Sequence, residues 1–82
     1  MEHVTIDEPV KVAAVFDGET VLPKWFVWQG RTRRITETTY TWRDNQGTAR
    51  ILHFAVTDGA TVFELAFNQK TLAWRLESTT TP

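Results

Sequence analysis

Cysteine is absent from this chain of 82 residues, which removes disulfides and thiolate metal sites together. Histidine occurs twice, at His3 and His53, a spacing that matches no recognised ligand set, so no metal site is expected. Asp44-Asn45-Gln46-Gly47 looks like the start of an oxygen-ligand calcium loop, but the distal bidentate glutamate is missing and a turn already explains it. Charge of one sign is lacking too: nine Lys and Arg stand against ten Asp and Glu, a net charge of −1. Bulk electrostatics therefore favour neither nucleic acid nor a membrane, and either partner would need a local patch. No apolar run approaches the roughly 20 residues of a membrane helix. Met1 to Val10 is acidic and has no apolar h-region, and with the missing cysteine this leads to the expectation of a cytoplasmic protein. Glycine-rich phosphate loops, nucleophile elbows and zinc-protease motifs are absent. The chain is accordingly expected not to be an enzyme and to carry no cofactor.

What the sequence has in quantity is aromatic and β-branched residues. Four tryptophans, five phenylalanines and one tyrosine supply area for a core in a chain short enough to need it. Eighty-two residues make one domain, because halves would be too small to fold alone. No stretch shows an apolar stripe at helical spacing, whereas alternation at period two recurs. From Ile51 to Glu77 the chain reads as a three-stranded antiparallel meander. Asp58-Gly59 is a two-residue hairpin signal that would place Leu52 opposite Leu65, Phe54 opposite Phe63 and His53 opposite Glu64. A second turn over Asn68 to Thr71 would place Leu65 opposite Trp74, Phe63 opposite Leu76 and Glu64 opposite Arg75. Both registers put the same apolar set on one face, the consistency a half-buried sheet requires.

Upstream, Val10, Val12, Ala14 and Phe16 share one face of a strand that ends at Asp17-Gly18. The run from Val21 to Trp28 is apolar on both parities, with Leu22, Phe26 and Trp28 on one and Trp25 and Val27 on the other. Such a strand is either central in two layers or covered by a partner. Gln29-Gly30 is a weaker turn signal, and the Thr-rich segment from Arg31 to Trp42 reads as one long strand. A three-residue loop ending in a left-handed Gly47 would bring Tyr40 and Trp42 to the buried face, with a bulge among Thr36 to Thr39 to reconcile Ile35. The expectation is an all-β domain of about six antiparallel strands over residues 9–77, a strongly curled sheet or small open barrel. Residues 1–8 are expected to be a flexible tail or short edge strand, and residues 78–82 a disordered tail.

Two constellations could carry function. His53, Glu64 and Arg75 form a cross-strand triad in that register, which could act as a base, its orienter and an anion holder. The plainer reading is a solvated charge ladder. The second is the candidate contact surface of Lys24, Trp25, Arg31, Arg33, Arg34 and Arg43, arginines beside aromatic rings. It could serve a protein partner or a second copy of the chain, or it could stack bases and neutralise phosphates on single-stranded nucleic acid. Alternatively the tryptophans are core and the arginines a solvated face. Small-molecule binding within a half-barrel would need a void lined by Tyr40, His53 or Arg50.

The run Pro23-Lys24-Trp25-Phe26-Val27-Trp28-Gln29-Gly30-Arg31, with Trp42, Asp58-Gly59, Phe63-Glu64-Leu65 and Trp74-Arg75-Leu76, resembles a family of small bacterial domains of unknown function. Their pattern is P-x-x-F-x-W-x-G-R, a later tryptophan, D-G, an aromatic before E-L, and a closing W-x-L. The similarity spans Pro9 to Glu77. It implies a fold through turn and core positions and brings no catalytic residue with it. Arg33 stands where an aromatic is more usual, which implies an exposed position here.

Overall fold

Six expected strands become eight in the computed structural model, which describes Met1 to Pro82, because the Thr-rich run divides in two and the N-terminal residues form a strand of their own. In order these are β1 (Glu2–Pro9), β2 (Lys11–Asp17), β3 (Thr20–Trp28), β4 (Arg31–Arg34), β5 (Glu37–Gln46), β6 (Ala49–Thr57), β7 (Val62–Asn68) and β8 (Trp74–Thr81). They form two antiparallel sheets rather than one: five strands in the order β1-β8-β7-β6-β5, and three in the order β2-β3-β4. Neither terminus is a loose tail. Glu2 pairs with Thr81 and the ladder runs to Pro9 opposite Arg75, so each end of the chain satisfies the backbone groups of the other.

The chain passes between sheets at two short corners. Val10 alone links β1 to β2, and its N–H donates to the Trp74 carbonyl at 3.2 Å. Ile35 and Thr36 link β4 to β5: the Ile35 N–H donates to the Lys24 carbonyl at 3.0 Å and the Thr36 N–H to the Thr57 carbonyl at 2.8 Å. The second corner breaks the Thr-rich run at the residue whose parity conflicted with its neighbours. A bulge between Thr38 and Tyr40 then resets the phase, within the stretch where one was expected.

Turn chemistry decides each register. At Gln29-Gly30 both residues have positive φ, 55° and 70°, the type I′ pattern, and Trp28 faces Arg31 across it. Gly47 has φ 61° while Thr48 does not share the left-handed region, the type II′ arrangement, and Gln46 pairs with Ala49. The loop between β5 and β6 is thus two residues rather than three, and this moves the pairing by an odd step. Trp42 therefore faces His53 and Tyr40 faces Ala55, both on the sheet face away from the core, and Tyr40 is 66% exposed.

The Asp58-Gly59 hairpin also differs from expectation. Asp58 does not take positive φ; its Oδ1 accepts the N–H groups of Ala60 and Thr61, each at 2.9 Å, and the loop widens to four residues. Leu52 then faces Phe67, Phe54 faces Leu65 and Val56 faces Phe63. A shift of two residues preserves the faces, so the expected core survives a wrong register. Across the next turn Phe67 faces Trp74 and Leu65 faces Leu76, with a bulge between Glu64 and Leu65 before Phe63 meets Thr79.

The core lies between the sheets. Phe54, Val56, Phe63, Leu65, Phe67 and Leu76 from the larger sheet close on Phe26 from the smaller one, with Val12, Val21, Trp28 and Ile35 packed against them. Phe26 meets Phe63 edge-on at 5.0 Å between ring centroids, and Phe16 meets Phe67 at 5.8 Å. Each of the fully buried side chains contributes about 2 kcal/mol through the apolar area removed from water.

Candidate contact surface

The smaller sheet has a core face and a free face, and a bulge decides what the free face carries. Ala13 pairs with Trp25 and Ala14 with Pro23, which leaves Lys24 as the extra residue of β3. Before the bulge Leu22 pairs with Val15; after it Trp25 and Val27 continue on the same side. Leu22 therefore parts from Phe26, with which simple alternation had grouped it. The free face reads Val15, Leu22, Ala13, Trp25 and Val27 along its middle, with Arg34 opposite Trp25 and Lys11 opposite Val27. Val15 is 48% exposed, Trp25 41% and Leu22 40%, so β3 is central in its sheet but has a covering layer on one side only.

The six residues of the expected contact surface fall into three groups. Lys24, Trp25 and Arg34 come together on the free face. Arg33 and Arg31 pair with Phe26 and Trp28 and so belong to the core side of the small sheet. The Arg33 guanidinium lies over the Trp28 ring, 5.1 Å from its centroid, and its Nη2 donates to Gln29 Oε1 at 3.5 Å. That cover leaves Arg33 half-buried, where the departure from the family pattern implied exposure. A cation over an indole does part of the work of the aromatic it replaces. Arg43 sits on β5 of the other sheet, opposite Leu52 and about 20 Å along the strand from its start. No continuous arginine patch is formed.

The expected triad is also rearranged. Ala66, not Glu64, stands opposite His53, and Arg75 follows Ala66 in the same row. The Arg75 Nε donates to Asp7 Oδ1 at 3.0 Å and its Nη2 to the Asp7 carbonyl at 2.7 Å. His53 is buried rather than solvated. Its ring lies flat on Trp42, with centroids 4.9 Å apart and planes 4° from parallel. Nε2 is 4.0 Å from an Asp44 oxygen and Nδ1 is 4.0 Å from a Glu64 oxygen, beyond hydrogen-bond length on both sides. Neither ring nitrogen has a hydrogen-bond partner, so neither is held for activation. The burial follows from the odd register step at Gly47-Thr48, which delivers Trp42 and Asp44 to His53.

Two open grooves complete the surface. One, of about 540 Å³, runs over the outer face of the large sheet past Ile51, Ala66, Trp74, Arg75 and Asp7. The other, of about 410 Å³, lies between the β2-β3 turn and β5-β6; Glu19, Val21, Arg43, Leu52, His53 and Phe54 line it, so of the three residues expected around a small-molecule void His53 alone borders a groove. Tyr40 and Arg50 line neither. No group of histidine and carboxylate side chains is arranged to hold a metal ion. The titration of one side chain is clearly displaced: Asp58 lies below its ordinary value of 3.8, chiefly because its carboxylate accepts the Thr61 N–H, with the Arg33 charge adding a smaller pull.

Fold and surface together define a small antiparallel all-β domain of two sheets with one apolar face left uncovered. A family model described as a domain of unknown function (DUF6504) matches residues 1–81, and the chain belongs to that family. The match includes both terminal strands, a wider span than Pro9 to Glu77. No curated protein and no solved structure matches the chain. No helix is long and apolar enough to cross a membrane.

Proposed function

We propose that the domain is a non-catalytic binding module whose contact surface is the free face of the β2-β3-β4 sheet, with a protein as partner. The observation that carries this reading is the exposure of Trp25 beside Val15 and Leu22 on a face with no second layer. A rigid aromatic flanked by aliphatic residues, with Lys24 and Arg34 at its rim, has the composition of an interface centre and edge. The same domain is read as cytoplasmic, in line with the cysteine-free sequence, and as of bacterial kinship through its resemblance to small bacterial domains at the turn and core motifs. Its two sheets, joined at the Val10 and Ile35-Thr36 corners, are read as an opened barrel.

Single-stranded nucleic acid is the second reading, favoured by the pairing of Trp25 with Arg34 on the open face. Splitting the arginines into three groups removes the continuous electrostatic track such binding uses, so the protein partner ranks first. A photo-reactive phenylalanine placed at Leu22, with Val62 of the large sheet as an equally exposed control, separates the two. The protein reading expects protein adducts at Leu22 and none at Val62. Equal labelling at both positions overturns it. Oligonucleotide titration at low and high salt provides the other arm: binding that weakens steeply with salt and is lost in Arg34→Ala moves the assignment to nucleic acid.

A further inference from the structure

Every open sheet edge in the molecule but one carries a device against pairing within its course. The β1 edge has charges at Glu2 and Glu8, a bulge with Asp7 at φ 53°, and a closing proline. The β5 edge has Arg43 and Asp44 in its course and a bulge at Thr39. The β4 edge is four residues long, three of them arginine. The β2 edge has charges only at its two ends, Lys11 and Asp17, and no interior charge, bulge or proline. Its seven residues, Lys11–Asp17, pair with β3 without a bulge of their own and hold five apolar side chains in succession. Val15 and Phe16 on it are 48% and 60% exposed.

We infer that this edge pairs antiparallel with the same edge of a second copy, about a two-fold axis at Ala14. The inference rests on the protein-binding reading and names the partner. The sequence of β2 is complementary to itself in that register. Lys11 of one copy stands opposite Asp17 of the other, on the free face in both; Ala13 stands opposite Val15 on that face; and Val12 stands opposite Phe16 on the core side. Lys11 and Asp17 are exposed and neither forms an ion pair within the chain. Shifting the register by one residue would put free-face side chains opposite core-side ones, and shifting it by two would separate the charges. The product is a six-stranded sheet whose free face joins the Trp25, Leu22 and Val15 clusters of both copies into one apolar surface.

The test is sedimentation of the whole chain across a concentration series, with Lys11→Glu, Asp17→Lys and the doubly exchanged variant. Both positions are solvent-exposed, so the fold is retained in each. Each single exchange replaces two symmetry-related attractions with two repulsions and is expected to weaken self-association about tenfold. Mixing the two single variants restores it, because position 11 of the first then opposes position 17 of the second, acid against base. The double variant self-associates like the parent chain. A parent chain that stays monomeric to millimolar concentration overturns the inference, as do single variants that associate as tightly as the parent. Neither result bears on the photo-labelling at Leu22. Conversely, loss of that labelling with a charge-dependent dimer intact removes the free-face reading and leaves the edge pairing standing.

Discussion

At the scale of single residues, the difference between core and surface side chains of similar size is large enough to measure. Leu65 is fully buried and Tyr40 lies mostly in solvent on the outer face. Leu65→Ala is expected to lower unfolding free energy by about 3 kcal/mol, from lost transfer energy plus the cavity left behind. Tyr40→Ala gives up chiefly its stacking on Trp42 at 5.5 Å and is expected to cost under about 1 kcal/mol in the same urea titration. The sequence made Leu65 legible as core because two independent turns agreed on its face. Tyr40 was misread because one residue of loop length reverses a whole strand. Asp58 offers a pH-dependent test. Its folded-state acidity is held below the ordinary value of 3.8, so its charged form stabilises the loop above that pH, and the contribution is lost as pH falls through the lower folded value. Asp58→Ala is expected to cost about 1 kcal/mol near neutral pH, solvent screening being substantial there. The difference from the parent should shrink as pH falls below 3.8 and through the lower folded value. A gap that is constant with pH would assign the role to loop geometry alone.

At the scale of elements, turns set what strands present. The Gln29-Gly30 turn holds a glutamine in the left-handed region at φ 55°. Asn tolerates that conformation better and is the preferred first residue of a type I′ turn. Gln29→Asn is therefore expected to raise stability by about 0.5 kcal/mol, read as a higher thermal midpoint. No gain would mean that the Gln29 contact with Arg33 outweighs the backbone preference. Strand existence was readable in the centre of the chain, from alternation in most segments and from β-branched and aromatic content in Val21 to Trp28 and the Thr-rich run. Bulges were readable only where parity conflicted, as at Ile35; the one at Lys24 left no such conflict, because a strand apolar on both sides accepts either phase. Of the terminal strands, the first was one of two alternatives for residues 1–8, an edge strand or a tail, and the end of the last was hidden for a different reason. Glu2–Pro9 and Ser78 to Thr81 are polar and short of large apolar side chains; the first is held by pairing with the second across the whole length of the chain, and the second lies between it and β7. Local pattern contains no trace of such a partner.

At the scale of the whole molecule, the division into two sheets explains why the candidate surface broke apart. A single curled sheet would have kept Arg31, Arg33, Arg34 and Arg43 on one continuous strand; the corner at Ile35-Thr36 sends Arg43 to the opposite layer. What remains together, Trp25 with Lys24 and Arg34 on a face continuous with Val15 and Leu22, is better suited to an apolar partner than to a phosphate track. Self-pairing at β2 would extend that face and satisfy the least protected edge in the same step. Amide hydrogen exchange at micromolar and near-millimolar protein tests this most directly. The account predicts that, at the higher concentration, exchange slows at alternate residues of Lys11–Asp17, those whose N–H groups point away from β3, while β5 and β1 are unchanged. Equal exchange at both concentrations, or slowing confined to the edges of the larger sheet, would contradict it.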